Sequence, residues 1–226
     1  LRAYTRAEDG EDRVRILAIG AHPDDVELGC GATLARHVID GDAVFILAIA
    51  TGRDVAQAEA ASEAARTLGA TLYGRWDYPD QKLDTVPRLE LTQRIERAIL
   101  DVEADVVFTH FPYDRNLDHR IVADAVLTAC RPCRPVKAGR GITGVLFFEV
   151  PSSTEWGLSP FMPSLYVSVA GQPIERKMSA LACYWGEMRD FPHPRSVQVL
   201  QARALLRGAE AGLSVAEAFV PHRIVR

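Results

Sequence analysis

Three ionisable side chains, His22, Asp24 and Asp25, fall within the segment Gly20-Ala21-His22-Pro23-Asp24-Asp25. Imidazole nitrogen and carboxylate oxygen are both good ligands for Zn²⁺. Pro23 fixes its own φ and stiffens the turn, so such a loop can aim His22 and Asp25 at one point and leave Asp24 pointing elsewhere. A catalytic zinc site usually has three protein ligands and a water. His119, at the end of His110-Phe111-Pro112-Tyr113-Asp114-Arg115-Asn116-Leu117-Asp118-His119, is the natural third. The chemistry such a set offers is attack of an activated water on a carbonyl. Spacing alone leaves blander readings open: Asp24 or Asp25 as the N-cap of the next helix, and His119 as a surface histidine.

These loops need elements to hold them. Short, continuous apolar runs at 14–19, 43–50 and 105–109 read as buried strands, as do 71–76, 144–150 and 165–169. Helical spacing covers 28–40, 54–68, 88–101 and 119–130, and two more helices, 174–187 and 197–211, are expected to close the chain. Alternating strands and helices with near-continuous apolar strands imply a parallel sheet covered on both faces. The expectation is an α/β, single-domain, Rossmann-like three-layer fold with a mainly parallel sheet. It spans 1–226, with 1–13 a flexible N-terminal segment. In such sheets ligands bind outside the carboxyl ends of the strands, where the two loops above follow the runs ending at Ile19 and Thr109.

Gly20-Ala21-His22-Pro23-Asp24-Asp25 followed by Glu27-Leu28-Gly29-Cys30-Gly31 resembles the opening motif of the PIG-L/LmbE family of zinc-dependent N-acetylglucosaminyl deacetylases. Thr51-Gly52 after the second strand, and Asp118-His119-Arg120 before a helix, are also similar to that family. The pieces fall in order over roughly the first 130 residues. The resemblance implies that His22, Asp25 and His119 bind Zn²⁺, that Asp24 is the catalytic base, and that the substrate is an N-acetylated sugar or sugar conjugate. It also implies a homo-oligomer, although no interface is legible. Many members carry His-Pro-Asp-His where this chain has Asn116-Leu117-Asp118-His119, so the general acid or oxyanion donor is open.

Asn116, His110 and His193 are the candidates for that donor, Asn116 as a hydrogen-bond donor only. Asp118 is a candidate to orient a neighbour or to begin the helix. Arg53, Asp54 and Arg115 are candidate contacts for sugar hydroxyls or a phosphate, since arginine presents a fork of donors. Tyr113, Glu149, Glu155 and Trp156 are candidates to line a sugar pocket. Each has a plain alternative as a packed or solvated residue.

A net charge of −4 with no basic stripe argues against a nucleic-acid partner. No apolar run is long enough to span a bilayer, and the polar residues 1–13 do not read as a secretory signal, so a cytoplasmic protein is expected. The Cys130/Cys133 pair sits at the end of a helical pattern, whereas an activated thiol favours a helix start; reduced structural thiols are expected. Two other function classes compete. A nucleotide-using enzyme lacks its GxGxxG fingerprint here, and a non-catalytic sugar- or nucleotide-binding protein would not need all four of His22, Asp24, Asp25 and His119.

Overall fold

The computed structural model describes residues 13–51, 55–132 and 141–225. Seven strands form one sheet in the order β3-β2-β1-β4-β5-β7-β6. They are β1 Arg15–Gly20, β2 Ala43–Ala48, β3 Thr71–Arg75, β4 Val106–His110, β5 Gly144–Phe148, β6 Leu165–Ser168 and β7 Ala216–Ile224. The helices are α1 Asp25–Ile39, α2 Val55–Leu68, α3 Arg88–Asp101, α4 Leu117–Ala129, α5 Gln172–Ala182 and α6 Val197–Glu210. β1 to β5 pair in parallel, and β7 runs antiparallel to both β5 and β6. The α/β fold with a mainly parallel sheet is therefore as expected from the sequence.

Alternate residues of β1 serve opposite faces, as the two-residue period of a strand demands. Ile16 and Ala18 join Leu34, Ala64, Leu181 and Leu200 in one apolar layer under α1, α2, α5 and α6. Leu17 and Ile19 join Leu91, Ile95, Val122 and Val126 in the other, under α3 and α4. Both faces of the central strands are thus dry, which is why their sequences are apolar without alternation. Gly29 lets α1 press onto this sheet, because a Cβ there would sit 2.3 Å from the Phe148 ring of β5.

The chain does not close on helices. After α6 it enters β7, which slots between β5 and β6. Pro221 within β7 speaks against a central strand. It is accommodated at a register shift in the pairing of β5 with β7, between Val145 and Leu146. β7 also carries Glu217, whose carboxylate accepts from Ala32 N at 3.2 Å and Thr33 N at 2.6 Å and pairs with Lys177 Nζ at 2.6 Å. This buried pair ties β7 and α5 to the waist of α1, the helix that starts at Asp25.

Among the described residues no helix is long and apolar enough to cross a membrane. Cys30 and Cys130 are free and buried and Cys183 is free and half-buried; Cys133 lies outside the described residues, as do 1–12.

Candidate metal centre

The strand order turns back at β1, with β2 on one side and β4 on the other. The tips of β1 and β4 therefore face one crevice, and β1 delivers His22 and Asp25 there while β4 delivers His110 and the turn into α4. The backbone N–H of His22 donates to Asp25 Oδ2 at 2.7 Å. That same oxygen lies 3.3 Å from His22 Nδ1 and 3.3 Å from His119 Nε2. Candidate ligand atoms of His22, Asp25 and His119 all fall within 4.8 Å of one another.

The charges at this point fit a divalent cation. Asp25 is fully buried, and its Oδ1 has no hydrogen-bond partner. Although burial favours its neutral form, His119 and His110 hold its carboxyl well below the usual range. Burial also disfavours a charged His22, yet hydrogen bonds to Asp118, Asp25 and Asp80 push its pKa up to about 12. His119 likewise rises to about 9 against the effect of burial, under Asp25 and Asp114. Carboxylates thus outnumber imidazoles, and an N/O donor set with an unsatisfied buried oxygen suits Zn²⁺.

Carboxylates stand behind the imidazoles. Asp114 Oδ1 lies 3.2 Å from His119 Nδ1, which leaves Nε2 for a cation. Asp114 is buried and accepts from Ser153 Oγ, from Thr154 Oγ1 at 2.5 Å and from Asn116 N at 2.8 Å. Burial works against its charge, but His119 and these hydroxyls lower its pKa to about 2. Asp118 Oδ2 lies 3.2 Å from His22 Nε2, and its Oδ1 accepts from Leu83 N at 3.1 Å. Asp80 Oδ1 is 3.1 Å from the same His22 nitrogen, so His22, Asp80 and Asp118 make a second, more open candidate cluster.

Asp24 occupies the N-cap of α1 with φ 86° and makes no capping hydrogen bond. A left-handed, non-glycine residue at a helix start is strained, and such strain concentrates at functional sites. The N-cap reading of Asp24 therefore does not hold for its side chain. Instead Asp24 Oδ2 accepts from Arg195 Nη1 at 2.7 Å. Burial holds its carboxyl well above the usual range, against the pull of Arg195.

A cavity of about 480 Å³ opens over this cluster, with His22, Asp24, Asn116, His119, Ser152 and Arg195 among its walls. Asn116 caps α4 by accepting from Asp118 N at 2.8 Å. Its carbonyl oxygen is thereby used, and the amide NH₂ is left as donor.

Most other residues singled out in the sequence lie off this wall. His110 is fully buried and stacked on His119, ring centroids 3.9 Å apart, with Phe148 at its edge. Its Nε2 accepts from Ala21 N at 2.7 Å, and burial followed by the charge of His119 lowers its pKa to about 4. It is a neutral prop for the first loop. His193 Nδ1 accepts from Arg195 N at 3.1 Å, so it braces its neighbour. Glu149 is locked to Arg203 and Arg207, and Glu155 accepts from Ser152 N and Ser153 N and pairs with Arg203. Tyr113 packs on Phe111, and the exposed Trp156 has Arg115, itself on the cavity wall, 5.9 Å from its ring. Arg53, Asp54 and Gly52 lie outside the described residues. Sequence reasoning passed over Asp80, Asp114 and Arg195. The strand-tip rule, applied to the end of β3, would have reached Asp80. Arg195 gave no sign beyond its Pro-flanked turn.

Glu27, two residues beyond Asp25, is buried and accepts from Tyr184 Oη at 3.2 Å. Burial raises its pKa from 4.5 to about 7. The folded state therefore holds this proton more tightly than the unfolded chain, and stability falls as pH rises from about 4.5 to about 7. Glu27→Gln is expected to gain stability on the wild type between pH 5 and pH 8, by as much as about 3 kcal/mol. Urea denaturation of chelator-treated protein at the two pH values checks this; an equal difference at both contradicts it.

A family model described as PIG-L, GlcNAc-PI de-N-acetylase, matches residues 17–130. The chain is 35% identical over 180 residues to the uncharacterized deacetylase YaiS of Escherichia coli (strain K12), covering 75% of this chain and 89% of that one. The crystal structure of the conserved protein TT1542 from Thermus thermophilus has TM-score 0.78 at 28% identity, covering 94% of this chain and 96% of that one. N,N'-diacetylchitobiose deacetylase from Pyrococcus horikoshii has TM-score 0.73 at 18% identity, over 91% of this chain and 82% of its own, which is a likeness of fold.

Proposed function

This chain belongs to the PIG-L, GlcNAc-PI de-N-acetylase family, and from that premise we propose that it is a zinc-dependent hydrolase. It removes the N-acetyl group from an N-acetylglucosamine-type sugar or sugar conjugate. The observation that carries the reading is the convergence of His22, Asp25 and His119 on one point beneath an open cavity, with Asp24 beside it. His22, Asp25 and His119 would hold the zinc. When bound, Zn²⁺ lowers the pKa of water and polarises an amide carbonyl.

The protein's own groups supply the rest. Asp24 takes the proton of the attacking water and returns it to the leaving nitrogen. A C–O bond forms, the amide C–N bond breaks, and acetate and a free amine leave. The Asn116 amide donates to the carbonyl oxygen as negative charge builds on it. Asp118 and Asp114 hold the two imidazoles in orientation. The cavity volume of about 480 Å³ suits a sugar-sized ligand. Arg115, on the wall, and Arg53 and Asp54, which follow β2 in the sequence, are the proposed contacts to the sugar or its carrier.

The test is a panel of N-acetylglucosamine derivatives with zinc-loaded protein, scored for free amine. Release that is abolished by a chelator and restored by zinc is expected. Binding of those sugars with no amine release would favour the non-catalytic reading.

A further inference from the structure

Asp24 is not held by its own helix. At φ 86° its side chain makes no cap hydrogen bond to the first turn of α1. Among the described residues its hydrogen-bond partner is Arg195, which lies 171 positions further along the chain. Arg195 is itself fixed from several sides. Its Nε donates to Ser152 Oγ at 2.9 Å, and its Nη1 lies 3.4 Å from Glu187 Oε2. Its backbone N–H donates to His193 Nδ1, and the next residue, Ser196, is the N-cap of α6 and accepts from Val199 N at 3.3 Å. Arg195 thus stands on a braced turn, with its side chain only 19% exposed and that of Asp24 4% exposed.

We infer that Arg195 is a positioning residue for Asp24: its guanidinium pins Oδ2 and turns Oδ1 toward the cavity, where the attacking water and the leaving amine meet it. The fork of donors explains the residue type. One planar group reaches Asp24 through Nη1 and Ser152 through Nε, which a lysine ammonium on a flexible stem would not hold in one plane. The loop between α5 and α6 thereby completes a site whose other parts come from the tips of β1 and β4. The catalytic consequence rests on the hydrolase reading above; the pairing itself does not.

Two experiments separate these. The first compares the melting temperatures of chelator-treated Arg195→Met, Asp24→Asn and the double variant. Each single change leaves the other group without its counter-charge, so the double variant is expected to lose less than the sum of the two single losses. Simple additivity would overturn the pairing. The second follows amine release by the zinc-loaded variants. Arg195→Met is expected to lower kcat about 10- to 100-fold with KM within about threefold, and Arg195→Lys to fall between it and the wild type. Zinc content is expected to remain one per chain. An unchanged kcat, or a raised KM at unchanged kcat, would overturn the positioning role, the latter by marking Arg195 as a substrate contact. If the wild type releases no amine while the melting losses remain non-additive, the substrate reading fails and the pairing stands.

Discussion

Asp24→Asn is expected to lower amine release by about a thousandfold, within the range that general acid–base catalysis supplies, while zinc content stays near one per chain. The substitution keeps the shape of the side chain and removes its capacity to take a proton. Asp24 is not among the converging ligand atoms of His22, Asp25 and His119, so the metal has no reason to leave. The half-buried guanidinium of Arg195 keeps Ser152 and Glu187 as partners, so losing its counter-charge costs stability without unfolding the chain. Steady-state kinetics together with metal analysis of the same preparation check both halves. Full turnover in the variant would remove Asp24 from the role of base, and loss of zinc would place its carboxylate among the ligands.

His119→Ala is expected to abolish both zinc binding and turnover. His119 is buried, its Nε2 is 3.3 Å from Asp25 Oδ2, and the ring is stacked on His110. Deleting it leaves two ligands for an ion that takes three from the protein and a water. Asp114→Asn offers a graded companion. It leaves His119 in place but weakens the group facing Nδ1, and a loss of about 10- to 100-fold in zinc affinity is expected. Zinc titration against a competing chelator measures both. Wild-type affinity in His119→Ala would remove residue 119 from the site.

The parallel part of the fold was legible because burial on both faces writes itself as continuous apolar runs. Val106–His110 and Gly144–Phe148 are of this kind. β7 was not legible, since Pro221 interrupts it and its half-buried end, Pro221 to Ile224, carries mixed polarity. Its place beside β5 depends on long-range pairing that no local pattern encodes. At the candidate site, His22, Asp25 and His119 were legible because His22 lies in the short turn after β1, and Asp25 and His119 lie in the first turns of the helices that follow β1 and β4. Arg195 was not, because it acts 171 residues from its partner and the turn that carries it has no strand before it. His110 has the same strand-end address, but its ring is fully buried between His119 and Phe148, with Nε2 accepting from Ala21 N and 3.4 Å from Asp25 Oδ2.

The most direct test of the metal centre is an anomalous difference map, collected at the zinc edge, from crystals grown with one equivalent of zinc. A single strong peak enclosed by His22, Asp25 and His119, next to Asp24, is expected. A peak placed instead at the outer nitrogen of His22, between Asp80 and Asp118, or no peak near His22 at all, would contradict it.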